Sequence, residues 1–190
     1  MEKNVIQKLW NLPSELEHRE KIEEIEKEFL KGSFTENPEN IVVEYKDGER
    51  QVLYPSGSKY NHYFSDGLYI REMFLEAGYF AFTLIHKTQN PLFVLKGIMW
   101  CTSENGLQEL VAPTFVLTEP GTKRMCWFPE ETVIVNVHPN PNGITDLKEM
   151  EKEIYACTPE QYDEDLEQNV WMMFEHKEYH KNKNKDENKN

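Results

Sequence analysis

The sequence predicts a mainly β protein, a barrel or sandwich of short strands with helices at both ends. Between residues 41 and 138, short apolar runs alternate with Gly, Pro, Asn and Asp. This spacing is typical of a sandwich or barrel and not of alternating βαβ units. Charged runs with helical spacing flank the region on both sides. A chain of 190 residues fits one core with extensions, because single cores settle at roughly 100–200 residues.

The first part of the chain, residues 1–37, predicts a helical extension. Apolar residues recur among many Glu and Lys, with a break near Pro13. Ser14 followed by Glu17 matches a capping box, so we expect the second helix to start there. The mixed-sign run EHREKIEEIEKEF indicates a solvated helix face, with a coiled-coil or partner-docking helix as the alternative.

Residues 38–140 predict the β-barrel itself. The runs IVVEY and RQVLY flank Asp47-Gly48, and Asp-Gly supplies the positive φ of a tight hairpin turn. Further strands are expected at LYIREMF, YFAFTLIH, PLFVLKG, IMWCT, LQELVAP, TFVLTE, RMCWF and TVIVNVH. The segment from Pro139 to Gly143 predicts a turn, because two prolines and a glycine cannot continue a central strand.

Residues 141–177 predict helices that pack on the barrel or on a partner. Thr145 or Asp146 can cap a helix that reaches Tyr155, and Thr158 with Pro159 can start another. The contiguous apolar run WMMF favours docking onto the barrel or a subunit interface. Residues 178–190 form a Lys/Asn-rich tail for which we expect disorder.

Composition and charge exclude several classes of protein. The formal net charge of -13 disfavours nucleic-acid binding, which relies on clustered Lys and Arg. The three cysteines form no metal-binding or disulfide pattern. No apolar stretch is long enough to span a membrane, and the start of the chain does not resemble a signal peptide. Nucleophile-elbow, P-loop and dinucleotide motifs are absent from the sequence.

Four short segments carry a resemblance to a known family. They are His86-Lys-Thr, the Gly97 turn, the corner Pro120-Gly-Thr-Lys-Arg124, and the closing stretch from Glu131 to His138. Together they resemble a cupin and, more narrowly, small cupin-like proteins of tailed bacteriophages. The resemblance covers about residues 68–155 and implies a cupin-type double-stranded β-helix, or jelly roll. It also implies synthesis in the host cytoplasm, with the virion as a second location.

A cupin metal site usually combines an H-x-H pair, an acid a few residues later, and a third histidine. Here His86 stands at the first position, while Thr88 replaces the second histidine and the acid position falls near Leu92 or Phe93. Arg124 occupies the place of the third histidine, and a guanidinium donates hydrogen bonds but cannot ligate a metal. We therefore expect no metal and no cofactor, and we assign no catalytic residue; Gln89, Asn90 or His138 would have to replace the missing ligands.

The altered pocket leaves two interpretations open for its polar residues. An anionic or hydroxylated ligand can contact a set of five candidates, because guanidinium groups pair with carboxylates and phosphates. These candidates are His86, Thr88, Lys123, Arg124 and His138. Alternatively, each is structural, with the histidines hydrogen-bonded in the core and Arg124 bonded to Glu119, Glu130 or Glu131.

Two functional hypotheses follow from the resemblance and the missing ligands. The first is a non-enzymatic, structural or accessory phage protein that forms homo-oligomers or binds other phage proteins. The second is a small-molecule-binding or catalytic cupin, either a metal-dependent oxygenase or a metal-free sugar-type isomerase. In the isomerase, His86 would be the base and Arg124 would anchor an anion.

Overall fold

The strands of the protein form a jelly-roll β-barrel to which a few helices are added. The computed structural model describes residues 18–30, 42–46, 49–53, 58–103 and 105–168. The helices are α1 (His18–Leu30), α2 (Leu147–Ile154) and α3 (Pro159–Gln168). The strands are β1 (Val42–Lys46), β2 (Glu49–Leu53), β3 (Lys59–Ser65), β4 (Gly67–Leu75), β5 (Tyr79–Phe82), β6 (Ile85–His86), β7 (Asn90–Lys96), β8 (Ile98–Ser103), β9 (Gly106–Val111), β10 (Thr114–Thr118), β11 (Met125–Phe128), β12 (Thr132–Asn140) and β13 (Tyr155–Ala156).

Two antiparallel sheets make up the barrel. One has five strands in the order β10-β7-β12-β4-β3, and the other has four in the order β5-β11-β8-β9. Their inner faces enclose one cluster of buried side chains, formed by Met73, Leu75, Tyr79, Leu92, Val94, Met99, Cys101, Cys126, Phe128 and Ile134. Two pairs of strands stand apart: the hairpin β1-β2 expected around Asp47-Gly48, and the short pair β6-β13. The predicted mainly β fold is confirmed.

One expected strand is divided in the structure. The run YFAFTLIH forms β5 and β6, with Thr83 and Leu84 between them outside the sheets. Thr83 instead bonds to Arg124: its N–H donates to the Arg124 carbonyl, and its hydroxyl oxygen accepts from the Arg124 N–H. Thr83 therefore stays opposite Arg124, whereas His86 pairs with Tyr155 of β13 and not with β11.

The end of β12 corrects the prediction of a turn that starts at Pro139. The strand continues to Asn140, and Pro139 pairs with Leu68 of β4. On its other side β12 pairs with β7 only as far as Asn136. Pro139 therefore has a neighbouring strand on one side only, and its missing N–H costs the sheet no hydrogen bond there.

The alternation along β12 is the reverse of what a half-buried strand usually shows. The residues that face outward are Val133, Val135, Val137 and Pro139, whereas the buried ones are Thr132, Ile134, Asn136, His138 and Asn140. Four of the five buried residues are polar, and buried polar groups need partners. Polar side chains are therefore concentrated inside one end of the barrel.

The helices cover other parts of the barrel. Ile22 and Ile25 of α1 pack against Phe80, Trp100 and Trp127 on the outer face of the four-stranded sheet. Within the described residues, no helix is long and apolar enough to cross a membrane. The expected capping box at Ser14, the WMMF run and the Lys/Asn-rich tail lie outside the described residues.

The helices after the barrel begin at the expected caps. The Asp146 carboxylate accepts from the N–H groups of Lys148 and Glu149, and the Thr158 hydroxyl accepts from the N–H of Gln161. An N-terminal cap satisfies amides that would otherwise have no partner in the first turn. The first of these two helices ends at Ile154, and Tyr155 continues into β13 beside His86.

The turn at Gly97 predicts a strong dependence of stability on this glycine. Its φ is +80°, and an added Cβ would lie 2.5 Å from the Glu131 carbonyl oxygen and 2.6 Å from Thr132 Oγ1. Gly78 has a similar φ of +82°, but a Cβ there would meet nothing within 4 Å. We expect Gly97→Ala to lower the free energy of unfolding by about 2–3 kcal/mol and Gly78→Ala by about 1 kcal/mol. Urea unfolding of both variants measures the difference, and equal losses would contradict the crowding at Gly97.

Candidate functional site

Four aromatic rings from four strands meet inside one end of the barrel. The rings of Tyr69, His138 and His86 form a stacked series, with centroids 5.9 Å apart at the first step and 6.0 Å at the second. Tyr155 stands edge-on to both histidines, at 5.0 Å from His86 and 5.8 Å from His138. Met150 and Ile154 of α2 pack with Tyr69 and Tyr155 and close this end of the barrel. Both imidazoles are thereby buried.

Two buried asparagines fix the orientation of His86. Asn90 Nδ2 lies 3.0 Å from His86 Nδ1, and Asn136 Nδ2 donates to Asn90 Oδ1 at 3.1 Å. Because an amide NH₂ can only donate, Nδ1 of His86 is the acceptor and the proton of the neutral ring lies on Nε2. Burial is the main reason that the pKa of His86 lies well below its ordinary value, and the adjacent His138 ring acts in the same direction.

His138 is the residue whose hydrogen-bonding needs are least satisfied. It is 0% exposed, and neither ring nitrogen has a hydrogen-bond partner among the residues that the structure describes. Burial first, and then the Arg71 guanidinium, lower the pKa of His138 to about 3. The ring is therefore neutral at pH 7 and offers one donor and one acceptor. A buried polar group in this state requires an explanation, such as a bound water, ion or ligand.

Two arginines supply positive charge near the histidines. Arg71 of β4 donates to the Tyr155 hydroxyl, and its guanidinium carbon lies 5.2 Å from the centroid of the Tyr155 ring. Arg124 donates to Thr118 Oγ1 at 2.8 Å, so its internal bond is to Thr118 and not to the expected Glu119, Glu130 or Glu131. Both guanidinium groups act to lower the pKa of His86.

The other sequence candidates take different positions. Thr88 lies beside the network: its carbonyl accepts from Asn90, and its buried hydroxyl has no partner within the described part of the chain. The Lys123 ammonium is held by Glu26 of α1, at 2.6 Å from Oε2. Gln89 donates to the Glu119 carboxylate in an exposed contact. The structure thus brings His86 and His138 together, with Thr88 nearby, while Lys123 pairs with the helix.

The ligand set at this end does not fit a metal ion. Among the described residues, no three His, Cys, Asp or Glu side chains form a group that could hold a metal. Asn90 occupies one nitrogen of His86, and Leu92, at one expected acid position, lies in the apolar core. Two guanidinium groups close enough to depress the histidine pKa also disfavour a cation.

Sequence reasoning missed Arg71, Tyr155 and Asn136, although signals for two of them were present. In β4, Tyr69, Arg71 and Met73 alternate on one face, so the inward face carries an arginine. In β12, Asn136 and His138 are two residues apart and share the inward face. Tyr155 belongs to β13, whose pairing with His86 no local pattern indicates.

Of the comparisons with known proteins, only the one with solved structures found similar chains. No protein-family model matches the sequence, and no curated protein is similar to it. Solved structures that are similar include an HTH_3 family transcriptional regulator from Vibrio cholerae, at 21% identity and a TM-score of 0.38, covering 44% of this chain and 51% of that one. A cupin-2 domain protein from Shewanella frigidimarina has 13% identity and a TM-score of 0.36, covering 42% and 80%. An acetylacetone dioxygenase from Acinetobacter johnsonii has 19% identity and a TM-score of 0.39, covering 56% and 76%.

At identities of 13% to 21% and TM-scores of 0.36 to 0.39, these similarities assign no function to the chain. The chain spans about half the length of the Vibrio regulator and leaves close to half of its own residues unmatched in each case.

Proposed function

We propose that the protein binds a small anionic, hydroxylated molecule inside the polar end of its barrel, without a metal ion. The observation that carries the proposal is His138, whose two ring nitrogens are fully buried and without partners among the described residues. Leaving such groups unsatisfied costs about 1–3 kcal/mol each, and a ligand that bonds to them removes this cost.

The charges at the site select the ligand chemistry. At pH 7 both imidazoles are neutral, because burial lowers the pKa of each, whereas the two arginines carry fixed positive charge. A carboxylate or phosphate pairs with a guanidinium, and hydroxyl groups can both donate to and accept from neutral imidazoles. A hydroxy acid or sugar acid combines these two features.

Catalysis has less support than binding. The isomerase alternative needs His86 as a base, but Nδ1 already accepts from Asn90 and burial lowers the pKa of the ring. A general base works best with a pKa near the working pH, so this histidine is a weak base. The oxygenase alternative needs a metal, which the donor set does not fit.

A matched pair of probes tests the proposal. Gluconate and sorbitol carry similar hydroxyl groups, but only gluconate has a carboxylate. We expect gluconate to bind in titration calorimetry and sorbitol to bind at least about 10-fold more weakly. Arg71→Met should weaken gluconate binding at least about 10-fold, whereas Lys96→Met, which removes an exposed surface cation, should leave it unchanged.

Three outcomes would count against the pocket. Equal binding of gluconate and sorbitol would remove the anionic specificity, and equal effects of Arg71→Met and Lys96→Met would place any binding elsewhere. If neither probe binds and native mass spectrometry of the untagged protein shows no copurified molecule, the proposal fails.

The expectation of a structural or accessory role in tailed bacteriophages stays a prediction. It follows from the sequence resemblance alone. The expected residence in host cytoplasm or virion and the binding of other phage proteins depend on the same resemblance. Mass spectrometry of purified particles is the direct test, and absence of the chain from them would remove the virion role.

A further inference from the structure

Arg124 is an interior cation whose charge the described residues leave unbalanced. The residue is half-buried; its Nη1 donates to Thr118 Oγ1 at 2.8 Å, whereas its Nε is buried and has no hydrogen-bond partner within the described part of the chain. No described carboxylate lies within ion-pair distance of Arg124, although the chain has 34 Asp and Glu against 21 Lys and Arg. A charge withdrawn from water without a partner is costly, and a bound anion supplies both the missing acceptor and the missing charge.

The donors that remain on Arg124 match a carboxylate. Nε and Nη2 lie along one edge of the planar guanidinium, and two parallel N–H groups bond both oxygens of a carboxylate. Since Thr118 accepts from Nη1, the Nε edge is the part of Arg124 that a ligand can use. A lysine would offer a point charge without this paired geometry, so the side chain suits a carboxylate in particular.

Arg124 and Arg71 reach the polar end of the barrel from two sides. Arg71 lies on β4, whereas Thr118, which holds Arg124, lies on β10. In the strand order β10-β7-β12-β4, Thr118 and Arg71 are three strand spacings apart, or roughly 14 Å between backbones. His138 of β12 lies in this interval, with two buried ring nitrogens that lack partners among the described residues. A ligand at His138 can therefore reach one guanidinium with each end.

The groups on which each arginine acts place the two cations in different surroundings. Burial lowers the pKa of His138, and Arg71 adds to this effect. Burial raises the pKa of Cys101 in the barrel core, and Arg124 acts against this rise. Burial also lowers the pKa of His86, where both arginines act in the same direction. Arg71 thus lies toward His138 and Arg124 toward the core, with His86 within reach of both.

We infer that the ligand is a hydroxy diacid, with one carboxylate bound by Arg71 and the second by Arg124. This inference rests on the binding function proposed above, to which it adds the second anionic group. The hydroxyl groups between the two carboxylates bond to His138, whose neutral ring offers one donor and one acceptor. Arg124 then determines specificity, because it distinguishes diacids from acids with a single carboxylate.

Two sugar acids with the same carbon skeleton test the second carboxylate. Glucarate differs from gluconate only at the last carbon, where a carboxylate replaces the hydroxymethyl group. In titration calorimetry of the full-length chain, we expect glucarate to bind at least about 10-fold more tightly than gluconate, because paired bonds between a guanidinium and a carboxylate are strong.

Variants at and around Arg124 assign this preference to its side chain. In Arg124→Met the two affinities should differ less than about 3-fold, because the second carboxylate has lost its partner. Thr118→Val keeps the shape of a buried side chain but removes the hydroxyl that holds Nη1, and it should reduce the preference at least about 3-fold. The control Lys96→Met removes an exposed cation and should keep the full preference. Each value is a ratio within one variant, so partial unfolding of that variant does not change it.

Three results would overturn the inference. If gluconate binds and glucarate binds no more tightly, the ligand has one anionic group and the function proposed above is kept. If Arg124→Met retains the preference, or Lys96→Met loses it, the second carboxylate is bound elsewhere. If neither sugar acid binds to the wild-type protein, the proposed binding function fails and the inference fails with it.

Discussion

Acidification from pH 7 to pH 4 is expected to lower the free energy of unfolding by about 3 kcal/mol through His138 alone. The pKa of this ring is lowered to about 3 in the folded protein from an ordinary value of 6.5. Between these two values the unfolded chain binds a proton and the folded chain does not, so stability falls as the pH falls. Above pH 6.5 the ring is neutral in both states and contributes no pH dependence. Each unit of pKa difference corresponds to about 1.4 kcal/mol.

The variant His138→Phe isolates this contribution, because it keeps an aromatic ring but cannot titrate. Chemical unfolding of both proteins at several pH values between about 7 and 4 should give a clearly shallower loss of stability for the variant. His62→Phe serves as a graded comparison: burial also lowers the pKa of His62, but this side chain is only half-buried, so its removal should change the slope less. Parallel curves for wild type and His138→Phe would show that the pKa of His138 is not lowered in the folded protein.

Removing the ammonium of Lys123 is expected to destabilise the protein by about 3–5 kcal/mol, since it leaves one member of a buried ion pair without its partner. Lys123 Nζ lies 2.6 Å from Glu26 Oε2, and the two side chains are 4% and 9% exposed. The nearby Glu23 carboxyl already has a raised pKa, chiefly because of burial, and Lys123 acts against that rise. The variant Lys123→Met keeps most of the side-chain volume while removing the charge.

Two further lysines provide a graded control for this effect. The partner of Lys87 is Asp165, whose side chain is 30% exposed and can be hydrated when the pair is broken. The pair of Lys96 and Glu131 is largely exposed on both sides. Urea unfolding should rank the losses Lys123→Met, Lys87→Met and Lys96→Met in that order, with the last below about 1 kcal/mol. The double variant Glu26→Gln with Lys123→Met should recover part of the first loss, and no recovery would argue against the ion pair as its cause.

Most strands could be predicted, because their short apolar runs end at residues that interrupt the ladder, but β3 and β13 were not among the expected strands. The hairpin β1-β2 and the Asp146 helix cap are local features, determined by residues close in sequence. The extension of β12 through Pro139 could not be predicted in this way. It depends on β7 ending its pairing with β12 at Asn136, which is a property of the sheet and not of the segment.

The candidate site was predictable only in part. His86 and His138 were identified from their positions in the resemblance, and the structure stacks their rings. The ion pair of Lys123 with Glu26 could not be predicted, because Glu26 lies far away in the sequence. Arg71 was overlooked since a single arginine in a strand usually faces solvent, whereas this one donates to Tyr155 inside the barrel.

The reversed alternation of β12 has a consequence for how the chain finds its register during folding. Shifting β12 by one residue would turn its valines into the barrel and its asparagines and His138 toward water, which hydrophobicity alone would favour. The native pairing must therefore be selected by specific contacts at the start of the strand. The one proton of the Thr132 hydroxyl can be donated to the Glu130 carbonyl at 2.9 Å or to the Ile98 carbonyl at 3.1 Å, and the bulge between Val133 and Ile134 fixes the offset against β7. Thr132→Val keeps the shape of this side chain without the hydroxyl, and it would leave the slipped register to compete with the native one.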